Sequence, residues 1–310
     1  MDLKQIEYIV KIAEENNITR AAEKLYITQS ALNQQLLKLE KELGTPLFHR
    51  SRTNWHLTEA GEVYVRTAKE MLVMKRDTYD QIHDLANIQK GRLSVGFTPD
   101  RGSRMFSAVY PEFHRTHYGI TIEPMELSVH AQQEMITSDD LDIGFMTIAE
   151  NDKKPSHEYQ AIVNEEIYLA IPKRHPISSD YMNNKVLFPV LDIRLLKEEP
   201  FVLMYKESTI RKLVDGIFEN AGFEPQVLFE TSSTNTILRM IHSEICCGLI
   251  PAFYVDFEDQ DISYFSLAEK PSWSIVASYK KGRHLSRAAK DFIKLSDKYW
   301  KSEAYEKRSL

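Results

Sequence analysis

The sequence predicts an α+β chain of several domains: a mainly helical N-terminal domain, a long linker helix, and a C-terminal α/β domain of two subdomains. Three observations lead there. Within the first 58 residues, apolar positions recur at helical spacing in short runs closed by capping and turn residues. From 59 to about 88 there is no proline, and Gly61 is the single glycine, which allows one helix of roughly 45 Å at 1.5 Å per residue. Beyond Gly91, β-rich runs alternate with helical ones, the pattern of α/β units on mainly parallel sheets. The boundaries this implies are 1–58, 59–89 and 90–310, with one subdomain at about 90–164 and 268–300 and the other at about 165–267.

In the first domain, Leu3, Ile6, Ile9, Val10 and Ala13 mark a helix over 3–13. Thr19 is the expected cap of a second helix, 20–25, and Tyr26 and Ile27 fill a turn. Thr28 is placed to cap a third helix. Leu32, Leu36, Leu39 and Leu43 form its buried stripe, and Gly44 and Pro46 end it. Its other sides carry Gln29, Ser30, Asn33, Gln34 and Lys38. After Leu47 and Phe48, Arg50 and Arg52 give the following hairpin a basic character. Short helix, turn, longer helix and basic hairpin is the order of a winged helix-turn-helix, which lays its recognition helix in the DNA major groove. Gln and Asn amides there bond base edges, adenine foremost. Thr28, Ser30 and the helix N-terminal amides reach phosphates, and Arg50 and Arg52 suit backbone or minor-groove contact. The whole chain has a formal charge of −6, but residues 18–56 hold six basic side chains against three acidic ones, +3 locally. Binding is therefore expected to be salt-sensitive without being purely electrostatic.

The connecting helix places Tyr64, Ala68, Met71, Lys75, Thr78, Ile82 and Leu85 at alternating steps of four and three. Such a heptad seam predicts self-association, because a small domain cannot cover a helix this long. In the C-terminal part, strands are expected at 93–97, 120–125, 141–146, 167–171, 201–204, 226–229 and 247–250, with helices at 104–117, 129–138 and 286–300. Ligands of open α/β sheets sit beyond the C-terminal strand ends. Thr98, Ser103, Ser128, Thr147, Ser208 and Thr231 follow such ends. Hydroxyls beside helix N-termini favour an anion such as a carboxylate. Arg101 and Arg104 either add charge there or are solvated.

Composition narrows the remaining classes. At 43% hydrophobic and 27% charged, the 310 residues are ordinary globular material. No run of ~18 apolar residues predicts a membrane span. MDLKQIEYIV is amphipathic and carries acids, unlike a secretory leader. Cys246 and Cys247 are the only cysteines and sit among Ile245, Leu249 and Ile250. Core packing in a reducing cytoplasm is expected of them, not a disulfide framework or redox switch. His114 and His117 lack supporting ligands, and Asp139–Asp140 reads as a polar loop. No phosphate loop, nucleophile elbow or metal motif occurs, so no enzyme activity, cofactor or metal is expected.

The run TRAAEKLYITQSALNQQLLKLEKELGTPLFHR, then LTEAG at 57–61, resembles the DNA-binding domain of LysR-type transcriptional regulators. Ala21, Ala22, Leu25, Thr28, Gln29, Ser30, Ala31, Leu32, Gln35, Leu39, Glu40, Leu43, Gly44, Leu47, Phe48 and Arg50 match the family pattern. Asn33 stands where Ser is common and Gln34 where Arg is common, which alters the operator to be read and removes one cationic contact. GRLSVGFT, LDIGF at 141–145, HPIS at 175–178, CGLIP at 247–251 and YKKGRHLSRAAKDFIKL resemble the family's effector domain. The resemblance implies two subdomains hinged by crossing strands around a cleft, like a periplasmic binding protein, with effector contacts at positions resembling Thr98 and Ser128. It further implies a regulator of transcription that binds double-stranded DNA and a small-molecule effector and self-associates as a dimer or tetramer. Three rivals stay open. An α/β enzyme would need a converging nucleophile and base, a transport-type binding protein would need an export signal, and a ligand-free architectural protein would need a cleft filled by its own side chains.

Overall fold

The computed structural model describes residues 2–50, 55–181, 188–256 and 258–306. The chain divides into two compact units, Met1–Gly91 with Arg283–Ser286, and Arg92–Gly282 with Arg287–Leu310.

The first unit contains α1 (Leu3–Glu15), α2 (Ile18–Lys24), α3 (Gln29–Leu43), β1 (Phe48–His49), β2 (His56–Leu57) and α4 (Glu59–Ala86). Asn17, not Thr19, caps α2. Its Oδ1 accepts from the backbone N–H of Thr19 (2.9 Å) and of Arg20 (3.1 Å), so the helix starts two residues earlier than expected. Thr28 caps α3 as expected, its Oγ1 accepting from Ala31 N–H at 3.2 Å. Leu32, Leu36 and Leu39 are buried with Ile9, Ile12, Ala21, Ala22 and Leu47. Leu43 is exposed instead, because α3 outruns this small core and residues 41–46 all face solvent. In the turn between α2 and α3, Tyr26 holds φ 55 with its side chain almost fully exposed.

A small antiparallel wing pairs Phe48 with Leu57 and His49 with His56. Thr58 locks it to α4: its hydroxyl donates to Pro46 O (2.8 Å) and accepts from Gly61 N–H (3.0 Å). A Cβ on Gly61 would lie 2.0 Å from Leu47 O, so α4 reaches the wing only through glycine. The seam expected to join two chains is partly used within this one. Tyr64, Ala68, Met71 and Leu72 pack against Ile6 and Val10 of α1, and Lys75 Nζ meets Glu7 Oε1 at 2.8 Å. Further along, Met74, Tyr79, Ile82 and Leu85 are exposed.

The second unit has two lobes. The first is built on β3 (Gly91–Phe97), β4 (Ile120–Glu126) and β5 (Ile143–Ile148), with α5 (Arg101–Thr116) and α6 (Val129–Thr137) between them. Then come β6 (His157–Pro172), α7 (Pro176–Tyr181), β7 (Pro200–Met204), α8 (Thr209–Ala221), β8 (Gln226–Thr231), α9 (Thr234–His242), β9 (Gly248–Pro251), β10 (Ile262–Phe265), β11 (Ser272–Lys280) and α10 (Arg287–Glu306). The strand order is β10-β6-β11-β5-β3-β4, with β9 also on β6, while β7 and β8 form a parallel pair. The sheet is mixed rather than mainly parallel. β6 and β11 run antiparallel to each other and to the strands they meet, because they are the two crossings. The first half of β6 lies beside β11 in the first lobe, and its second half pairs with β9 and β10 in the second. Phe113, Phe145 and Phe292 fill the first lobe between sheet, α5 and α10, and Phe201, Phe218 and Leu249 fill the second. Cys246 and Cys247 are buried there, and burial pushes the Cys246 thiol up to about 11 and Cys247 higher still, so neither is a ready nucleophile. No described helix is long and apolar enough to cross a membrane.

Candidate functional site

Two surfaces carry candidate chemistry, one in each unit. On α3, Thr28, Gln29, Ser30, Gln34 and Lys38 are exposed and Asn33 is half-buried. The side chains of Gln29, Asn33, Gln34 and Lys38 have no hydrogen-bond or ion-pair partner among the described residues. Thr28 Oγ1 and Ser30 Oγ lie 3.1 Å apart at the start of the helix, where backbone N–H groups are also unmet. Arg50 departs from expectation. Its guanidinium bonds Glu40, stacks over Trp55 at 5.5 Å, and so braces the wing to α3. Glu40 is buried and also accepts from Leu47 N–H (2.8 Å), so its charge is used inside the fold. Arg52 lies outside the described residues.

In the second unit, a cleft of about 850 Å³ opens between the lobes. Thr98, Ser128, Thr147 and Ser208 line it. Two expected residues do not. Ser103 faces away from it on α5, its hydroxyl donating to Glu126 Oε2 at 2.5 Å, and Thr231 uses its hydroxyl to accept from Ser233 N–H at 3.2 Å. The N-termini of α5, α6, α8 and α9 all reach the cleft, the last three capped by Ser128, Ser208 and Ser233. Each cap oxygen accepts from a backbone N–H at 3.2–3.4 Å. Helix capping and cleft lining are thus served by the same hydroxyls.

The floor holds what the sequence did not reveal. Arg101 is 8% exposed and makes a two-pronged pair with Glu165, Nη1–Oε2 2.9 Å and Nη2–Oε1 3.2 Å. Phe253, Tyr254 and Trp300 lie against its guanidinium. Glu165 also accepts from Phe253 N–H (2.7 Å) and Trp273 Nε1–H (2.7 Å), and Trp273 is its register partner on β11. This one carboxylate therefore ties α5, both crossing strands and the second lobe together. Arg101 is neither the free anion partner nor the solvated residue of the sequence reading. Three contacts among the described residues span the cleft itself. Tyr254 OH donates to Asp100 Oδ2 at 2.8 Å, with Asn235 Nδ2 3.4 Å away, and Lys212 Nζ meets Asp152 Oδ1 at 3.1 Å. Burial, reinforced by the bond to Asp100, pushes the Tyr254 phenol well above its ordinary value, so it remains a donor. Asp100 itself sits at φ 60, ψ −85, a strained conformation for a non-glycine residue. On the surface, His242 Nε2 lies 3.1 Å from Asp259 and Nδ1 3.9 Å from Asp261, and one ligand atom from each of the three residues lies within 4.8 Å of the others, an exposed cluster of metal-ligating type.

A family model described as a LysR substrate binding domain matches residues 86–300, and one described as a bacterial regulatory helix-turn-helix protein of the lysR family matches residues 3–62. The chain belongs to the LysR family. LysR-family members are transcriptional regulators that bind DNA through the helix-turn-helix and respond to small-molecule effectors in the second domain, and the chain shares both parts. It is 26% identical over 306 residues to the HTH-type transcriptional regulator YcgK of Bacillus subtilis, covering 96% of this chain and 94% of that one. It is 30% identical over 253 residues to a probable RuBisCO transcriptional regulator of Trieres chinensis, covering 81% and 79%. A full-length, singly substituted OxyR of Pseudomonas aeruginosa shares the fold, with a TM-score of 0.69, 22% identity, and coverage of 96% and 94%. Within this LysR-family chain, α3 lies in the region matched by the helix-turn-helix model and the two-lobed cleft in the region matched by the substrate binding domain.

Proposed function

We propose that this LysR-family regulator reads a roughly two-fold symmetric operator with α3 and changes its grip on DNA when a small carboxylate-bearing molecule occupies the cleft. The observation that carries the reading is the unpartnered polar face of α3: four side chains suited to base edges and phosphates, with no protein group competing for them among the described residues. Gln29, Asn33 and Gln34 read bases, while Thr28, Ser30 and Lys38 hold the backbone. Arg50, braced on Glu40, acts mainly by fixing the wing. Thr98, Ser128, Thr147 and Ser208 bind the effector, helped by the helix N-termini. The lobes move about β6 and β11, and the exposed stretch of α4 pairs chains into dimers and tetramers. The open volume of the cleft favours a ligand over a purely architectural role. The protein works in the cytoplasm, without a catalytic step.

Selection of bound sequences from random duplexes tests this. Two half-sites about one helical turn apart are expected to be enriched. Gln29→Ala should relax the preferred base at one position by about 1–3 kcal/mol. Lys38→Ala should weaken all sequences alike and lower the slope of log affinity against log salt by about 1. Failure to enrich any sequence, or equal effects of the two substitutions on random DNA, would reject the assignment. An effector that leaves the footprint unchanged at saturation would reject the coupling, since a ligand shifts only an equilibrium whose two states it binds unequally.

A further inference from the structure

We propose that the molecule taken by this cleft carries a protonated amine, which pairs with Asp100 and Glu207, so that the effector is amino-acid-like rather than a plain carboxylate. The inference rests on the effector reading above and narrows it.

The permanent charges of the cleft do not suit a plain anion. Two fixed cations line it, and both are engaged: Arg101 by Glu165 beneath, and Lys212 by Asp152. Three carboxylates line it, on Asp100, Asp152 and Glu207. Glu207 has no hydrogen-bond or ion-pair partner among the described residues. Asp100 receives a cation only on Oδ1, from exposed Arg104 (3.1 Å). Its Oδ2 accepts from neutral donors, Tyr254 OH and Asn235 Nδ2. A plain anion would meet this acidic surplus with no free counter-charge. An ammonium group adds the missing partner, and charge-assisted bonds to carboxylates are the stronger kind.

Two further observations point to a ligand at that place. Asp100 keeps its strained backbone at φ 60, ψ −85, and strain of this sort collects at ligand clamps. Trp300, 5% exposed and part of the same wall, has an indole N–H with no acceptor among the described residues. A buried donor left open calls for an acceptor on the ligand, and the N-termini of α6 and α8 favour that acceptor being a carboxylate. The cleft therefore offers opposite complements to the two ends of a zwitterion.

Titration calorimetry on the full chain tests this, with the proteinogenic amino acids, the diamine putrescine and matched des-amino carboxylates as probes. At least one amine-bearing probe is expected to bind, and its des-amino partner at least tenfold more weakly. Asp100→Asn is the informative variant, because Asn tolerates positive φ and its carbonyl still accepts from Tyr254. It should weaken the amine-bearing probe tenfold or more while leaving the unliganded thermal midpoint close to the parent's. Glu207→Gln should weaken it in the same direction. Tight binding of putrescine without binding of any amino acid would keep the amine contact but overturn the amino-acid-like effector. Des-amino carboxylates binding as well as their amino partners, no binding by any amine, or indifference to both substitutions would each overturn the proposal. An amine that binds through Asp100 yet leaves the DNA footprint unchanged would remove the effector reading while the amine site stands.

Discussion

Glu165, 4% exposed, accepts four hydrogen bonds, two from Arg101 and one each from Phe253 N–H and Trp273 Nε1–H. Such a pair adds little against a well-packed apolar substitute, but removing one partner strands the other charge. Glu165→Ala is therefore expected to cost about 3–5 kcal/mol, read by urea denaturation. A loss below about 1 kcal/mol, an ordinary exposed-pair value, would show that Arg101 finds water instead. Neither residue's role was legible. They stand 64 positions apart, and a long-range pair leaves no periodic mark. His157 illustrates the reverse sign of titration. Burial holds its imidazole below the ordinary value, with Thr137 Oγ1 3.1 Å from Nε2. Above about pH 6.5 both folded and unfolded forms are neutral and nothing changes. Below it the unfolded chain takes the proton first, so stability falls with pH until the folded form also titrates. His157→Gln should flatten that acid limb, measured as thermal midpoints from pH 7 to 5, and an unchanged slope would assign it to other groups.

At the scale of elements, local signals were the readable ones. Thr28 as a cap, Gly44 as a stop and the Leu32–Leu36–Leu39 stripe are dictated by a few neighbouring residues, and each forms as read. The motif LTEAG has a mechanical basis in Thr58 and Gly61, which let the first turn of α4 touch the wing. Gly61→Ala should push α4 off Leu47 O and destabilise the first unit by about 1–3 kcal/mol. A thermal melt of the variant matching the parent would show that the wing yields instead. The crossing strands were the unreadable ones. β10 and β11 are not among the expected strands and only the second half of β6 is, since SWSIVASYK and HEYQAIVNE mix apolar and polar residues without a clean alternation and pair with partners far away in sequence. Among cleft residues, Thr98, Ser128, Thr147 and Ser208 follow predicted strand ends and were found by that rule. Asp100, Tyr254 and Trp300 meet only through the folded chain and were not.

At the scale of the molecule, the two units rest on different interactions: one on α1–α4 around a small apolar core, the other on two lobes laced by β6 and β11. The feature with the widest reach is α4, about 42 Å long at 1.5 Å per residue, with Leu85 85% exposed and Met74, Tyr79 and Ile82 uncovered beside it. If like chains cover that stretch, mass action enters the folding equilibrium, and dilution works on this protein as a mild denaturant. The melting temperature should climb by roughly 2 °C for each tenfold rise in protein concentration. Leu85→Glu should abolish the climb and shift sedimentation toward the single chain, whereas a parent protein whose melting ignores concentration would mean that each copy stands alone.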